Sequence, residues 1–127
     1  LVVIQPCHGL STGEVFTAWH AGQEEHDYSM DAVSDIIENG RTGNIPGALF
    51  NVLQPVSCTM QPAISEAVEA LKTQGALDAV MTGSGSAVFG VFINAAAARQ
   101  ALNRLAVRWN RIWMCHTDNT SIRILEP

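Results

Sequence analysis

Between Ala79 and Phe92 the chain reads AVMTGSGSAVFGVF, two apolar runs joined by Gly83-Ser84-Gly85-Ser86. This predicts a strand, a tight turn and a second strand, and so commits the chain to an antiparallel sheet. Glycine tolerates positive φ and leaves its N–H exposed, so the loop is able to line a phosphate-bearing cleft. An ordinary hairpin turn uses the same residues. No Lys and Ser/Thr follow as a P-loop requires, and Val88 stands where a GxGxxG motif needs its third glycine. Neither a Walker A loop nor a Rossmann fingerprint is present.

A chain of 127 residues with 47% hydrophobic content suits one domain with one core. No apolar run approaches the ~20 residues that cross a bilayer. LVVIQP at the front lacks a signal peptide's charged start and cleavage pattern. A soluble, cytoplasmic protein is expected. Cys7, Cys58 and Cys115 are far apart and odd in number, which fits reduced, buried thiols rather than a disulfide framework. The net charge is −5, which disfavours nucleic acid as a partner. Half of the twelve carboxylates (Glu24, Glu25, Asp27, Asp31, Asp35, Glu38) fall within fifteen residues and read as a solvated helix face with its leading loop. Five of the seven cations are arginines from Arg99 to Arg123. Arg104 and Arg108, four residues apart, read as a polar helix face. The chain opens at Leu1 without an initiator Met and reads as an excised piece.

The order of elements follows from punctuation and periodicity. Leu1 to Ile4 predicts a strand stopped by Pro6. Ser11 and Glu14 form a capping box, with Leu10 and Val15 as its hydrophobic staple, so a helix should run from there to about Ala21. Gly13 in its first turn costs about 1 kcal/mol of helix propensity relative to Ala, which suggests a close approach by a ligand or a packed strand. After a polar loop over Gly22 to Asp27, Ser29 is an N-cap for a helix buried through Met30, Val33, Ile36 and Ile37 and ending near Gly40. Arg41 to Asn44 is a further loop. Ile45 to Val56 predicts a third helix, with Pro46 near its start and its end near Pro55. Pro62 opens a helix with Ile64, Ala67, Val68 and Leu71 on its buried face and Gly75 as its stop. After the hairpin, Asn94 caps a helix packed through Ala98, Ala101, Leu102 and Leu105. Arg111 to Thr117 returns as a strand, and Ser121 to Leu125 adds another. The pattern is an α+β fold, a small, mostly antiparallel sheet with helices packed on one face.

Chemistry is sparser. Cys7-His8 and Cys115-His116 are adjacent pairs, which chelate poorly, and no C-x₂-C or H-x₃-H spacing occurs. Surface histidines and core cysteines are expected, with no metal. Ser84 and Ser86 lie in a turn without the G-x-S-x-G elbow, and no catalytic triad assembles. Phe16 and Trp19 share the first capped helix, where the default is that one or both fill the core, although an exposed Phe there would stack on a base. The Thr12 hydroxyl sits where helix N–H groups and the helix dipole favour an anion, with Glu14 offsetting part of that field.

Three stretches in order, ST-x-x-VF at Ser11 to Phe16, LFNVLQPV at Leu49 to Val56 and GALDAVMTGSGSAVFGVF at Gly75 to Phe92, resemble the C-terminal half of GHMP-type small-molecule kinases. The resemblance covers most of the chain and implies a single C-terminal domain over residues 1–127, ferredoxin-like, without its N-terminal ATP-binding half. Within the family it lies nearest the branch that phosphorylates a cytidyl-methylerythritol in non-mevalonate isoprenoid synthesis. It implies that Gly83, Ser84, Gly85 and Ser86 form a loop facing the phosphates. Thr12 would lie beside the transferred phosphoryl group and Phe16 would stack on the cytosine. It also implies ATP and Mg²⁺ in the intact enzyme, with neither bound to this part alone. The family's Gly/Ser-rich ATP loop, its N-terminal Lys and its catalytic Asp do not occur here, so the chain by itself is expected to be inactive. Its partners would be the missing N-terminal domain and the small-molecule substrate, with self-association through the exposed interface and no nucleic acid or membrane. The alternative from another class is a stand-alone small-molecule-binding or regulatory module.

Overall fold

The computed structural model describes residues 1–20, 30–40 and 42–117. The Ser29 cap, the loop over Gly22 to Asp27, Arg41 and the strand expected at Ser121 to Leu125 lie outside them. Four strands, β1 (Val2–Ile4), β2 (Asp78–Met81), β3 (Val88–Val91) and β4 (Ile112–Met114), form one sheet in the order β2-β3-β1-β4. All three pairings are antiparallel, and their register lines up Val80, Phe89, Val3 and Trp113 in one row across the sheet. Five α-helices are described: α1 (Thr12–His20), α2 (Met30–Asn39), α3 (Gln54–Met60), α4 (Ala63–Thr73) and α5 (Ala95–Leu105).

The sheet order with two helices on one face is the ferredoxin-like arrangement. Helix α4 covers β2 and β3, and α5 covers β4 and β1. Their apolar stripes, Ile64, Ala67, Val68 and Leu71 on α4 and Ala98, Ala101 and Leu105 on α5, join Val2, Ile4, Met81 and Val88 in one core. Both helices end or begin as their sequences dictate. The Gly75 N–H donates to Lys72 O and the Ala76 N–H to Leu71 O, a Schellman stop with Gly75 at φ +89°. The Asn94 side chain accepts from the Ala97 N–H at 2.8 Å. Arg104 on α5 reaches Gln74 at the end of α4, whereas Arg108 lies in the turn after α5, off the helix face expected for it, pairing with Glu66 of α4 and stacking over the Trp109 ring.

The helix expected over Ile45 to Val56 is not there. A short 3₁₀ turn at Thr42–Asn44 and a turn through Gly47, at φ +78°, are followed by a second turn in which the Gln54 N–H donates to Asn51 O, and α3 begins only at Gln54. The cause lies 30 residues downstream in the buried carboxylate of Asp78, which accepts from the Gly47 and Leu49 N–H groups at 3.0 and 3.3 Å. Those amides are taken out of any helical ladder. Pro55 therefore sits in the first turn of a helix, where its missing N–H is unneeded, rather than at an end.

Two smaller expectations also change. The Ser11 hydroxyl reaches the Glu14 N–H at only 3.5 Å, so the capping box is loose, while the staple residue Val15 is fully buried. The cysteines are free and half-buried, Cys58 alone of the three packing against the core, and His8, His20 and His116 are exposed.

Candidate functional site

The N-terminus of α1 and the β2–β3 loop meet. Thr12 and Phe16 from α1 and Gly83 and Ser84 from the loop line one cleft of about 480 Å³, together with Trp19, Asn51, Val52 and Leu53. Phe16 is 42% exposed, and its ring meets Trp19 edge-on, with centroids 6.3 Å apart and planes at 89°. Trp19 is half-buried and packs against the core, so it braces Phe16 from behind. One end of the cleft is thus aromatic and apolar, and the other presents the hydroxyls of Thr12 and Ser84.

The loop's backbone turns at its two glycines. Gly83 and Gly85 take positive φ, +59° and +94°, on either side of Ser84, and the Gly85–Ser86 peptide is cis. The Gly85 N–H turns back into the loop and donates to Thr82 O at 3.2 Å. At Gly85 a side chain is crowded as well as strained, because a Cβ there would lie 2.9 Å from Met81 Sδ and 3.3 Å from Ile64 Cδ1, and these buried neighbours would have to shift. Gly85 is therefore pressed onto the core, and Gly83 and Ser84 form the open rim. Ser86 points inward as well, fully buried, with its hydroxyl donating to Cys7 O at 2.7 Å. Of the four loop residues read from the sequence, two face the cleft and two anchor it.

Gly13, beside Thr12, has nothing within 4 Å of where a Cβ would lie. No described strand packs there, so among the described residues the packed-strand reason for its place in the helix finds no support. Among the described residues no three His, Cys, Asp or Glu side chains come together as a metal-binding group. The residues that sequence reasoning did not assign to the cleft are Trp19, taken as core by default, and Asn51, Val52 and Leu53. The signal for the last three was the LFNVLQPV stretch.

Fold and cleft together define a class, a ferredoxin-like α+β domain with an open cleft between α1 and the β2–β3 loop. Residues 23–110 match the family model described as GHMP kinases C terminal, and the chain belongs to that family. It is 34% identical over 119 residues to the 4-diphosphocytidyl-2-C-methyl-D-erythritol kinase of Pelotomaculum thermopropionicum, covering 94% of this chain and 42% of that one. With the enzyme of the same name from Caldicellulosiruptor saccharolyticus the identity is 35% over 107 residues, covering 84% and 37%. A crystal structure of 4-(cytidine 5'-diphospho)-2C-methyl-D-erythritol kinase matches with a TM-score of 0.72 at 26% identity, over 88% of this chain and 40% of that one. The chain thus spans about two-fifths of the length of these relatives. No described helix is long and apolar enough to cross a membrane.

Proposed function

We propose that the chain is the C-terminal, substrate-side domain of an ATP-dependent kinase that phosphorylates the 2-hydroxyl of 4-diphosphocytidyl-2-C-methyl-D-erythritol. The observation that carries this reading is the convergence of Thr12, Phe16, Gly83 and Ser84, drawn from two distant stretches, on one cleft. A ligand with a flat base at one end and phosphates at the other matches its two ends in chemistry. Phe16 stacks on the cytosine with Trp19 behind it, and the Thr12 and Ser84 hydroxyls and the Ser84 N–H meet phosphate oxygens.

ATP and Mg²⁺ belong to the intact enzyme under this reading. The donors present here suit phosphate oxygens, and no carboxylate lines the cleft among the described residues. Mg²⁺, when bound, neutralises charge on the transferred phosphoryl group. This chain's part is to hold the substrate and exclude water from one side of it.

Phosphoryl transfer depends on positioning the γ-phosphate and neutralising its charge, and the residues that do so in the family are not in this sequence. The 127-residue chain alone is therefore catalytically silent. Incubated with ATP, Mg²⁺ and the cytidyl substrate, it yields no phosphorylated product above a no-enzyme control. Product above that control would overturn the reading of the chain as one wall of a two-part site. With Phe16 exposed, the same wall favours self-association, seen as a sedimentation coefficient that rises with concentration.

A further inference from the structure

Strand β2 is an edge strand, and the backbone groups of its last residue would ordinarily face solvent. Two side-chain amides take them instead. Gln54 Oε1 accepts from the Met81 N–H at 2.8 Å, and Asn51 Nδ2 donates to Met81 O at 2.8 Å. The same Asn51 Nδ2 donates to Gly83 O at 2.9 Å, and one α-helical turn beyond Gln54 the Ser57 hydroxyl, fully buried, donates to Ser84 O at 3.1 Å. Asn51 is itself locked, because its Oδ1 accepts from the Leu53 N–H at 2.9 Å. Three polar side chains at positions 51, 54 and 57 therefore hold the backbone from Met81 to Ser84 at four points.

The consequence concerns direction. In a trans peptide the C=O and N–H point opposite ways. With Gly83 O tied to Asn51, the N–H of Ser84 must point away from Asn51's amide. With Ser84 O tied to Ser57, the N–H of Gly85 turns back into the loop, where it donates to Thr82 O at 3.2 Å. The Gly83 and Ser84 carbonyl oxygens, which would repel an anion, are each engaged by a side-chain donor before any ligand arrives.

We infer that Asn51, Gln54 and Ser57 are positioning residues that set the loop Thr82 to Ser86 in its anion-accepting conformation. This rests on the reading of that loop as the phosphate-facing wall, and it adds the device that makes the wall rigid. The polarity of each bond predicts which changes are tolerated. Gln54 acts only as an acceptor toward Met81, so Gln54→Glu keeps the bond and Gln54→Met loses it. Asn51 acts as a donor to two carbonyls, so the isosteric Asn51→Asp sets a carboxylate against both. Ser57→Ala removes the single bond to Ser84 O.

The test uses the whole chain, with two readouts on each variant. In the absence of ligand, amide hydrogen exchange at Thr82 and Gly85, whose N–H groups donate to Ala87 O and Thr82 O, measured by NMR, should accelerate at least tenfold relative to the β1–β3 amides in Asn51→Asp and Gln54→Met. It should stay within about twofold of wild type in Gln54→Glu. With cytidine 5′-diphospho-methylerythritol as probe, the dissociation constant should rise about tenfold in the first two variants and stay within about twofold in the third. A merely structural role would slow or speed exchange across the sheet and would not separate Glu from Met at position 54. Unchanged loop exchange in Asn51→Asp overturns the inference, as does unchanged probe affinity in a variant whose loop exchange has risen. If wild type itself shows no affinity for the probe, the functional reading falls, and the exchange data alone decide whether the three side chains hold the loop.

Discussion

The hydroxyl oxygens of Thr12 and Ser84 lie 2.9 Å apart although 72 residues separate them in the chain. One begins α1 and the other sits at the tip of the β2–β3 loop, so this single hydrogen bond closes the polar end of the cleft. Both residues are solvent-accessible, and an exposed hydroxyl pair contributes little to folding. Thr12→Val should therefore change unfolding free energy by less than about 1 kcal/mol. In the proposed site it should weaken cytidyl-substrate binding by about tenfold, because a phosphate oxygen loses a donor. Urea unfolding and calorimetric titration measure the two effects separately.

Gly85 is under a stricter constraint. A methyl group there meets Met81 Sδ at 2.9 Å at a φ of +94° that L-residues rarely adopt. Gly85→Ala should cost about 2–4 kcal/mol from overpacking and backbone strain together. A chemical-denaturation midpoint unmoved by this substitution would show that the loop is not pressed onto the core.

Asp78 organises a segment rather than the cleft directly. Its carboxylate accepts from the N–H groups of Gly47, Leu49 and Ala79, and Lys72 Nζ lies 3.4 Å away. Asp78→Ala should destabilise the fold by about 3 kcal/mol, with Asp78→Asn less severe because an amide oxygen still accepts. Amide exchange at Gly47 and Leu49 should rise in both variants before that of α4 does.

Burial pushes the Cys58 thiol above the ordinary thiol range. The native chain then keeps a proton that the unfolded chain releases first. This contribution to stability is whole below the ordinary thiol pKa and is lost as pH rises through the raised native value. Between about pH 8 and about pH 10 the urea midpoint of wild type should fall more steeply than that of Cys58→Ala.

Much of this molecule is legible in local patterns. The i, i+3, i+4, i+7 run from Ile64 to Leu71, the Gly75 stop, the Asn94 cap and the Gly/Ser hairpin each carry their own signal within a few residues. The three resembling stretches likewise place Thr12, Phe16 and Ser84 among the cleft residues. What stayed hidden depends on distant partners. Leu49, Val52 and Leu53 have spacing that suits a helix, and nothing near them announces that Asp78 will claim two of the segment's amides. Ser84 and Ser86 look alike in sequence. Only the packing of Cys7 against the loop turns Ser86 inward and leaves Ser84 on the rim.

The most direct test of the central claim is an NMR titration of the chain with cytidine 5′-diphospho-methylerythritol, run on wild type and on Phe16→Ala. Phe16 is 42% exposed, so its truncation should leave the fold's spectrum intact elsewhere. The account predicts shifts confined to Thr12 to Trp19, Asn51 to Leu53 and Gly83 to Ser84 in wild type, and their loss in the variant. Shifts scattered over other surfaces, or a response that survives Phe16→Ala unchanged, would contradict it.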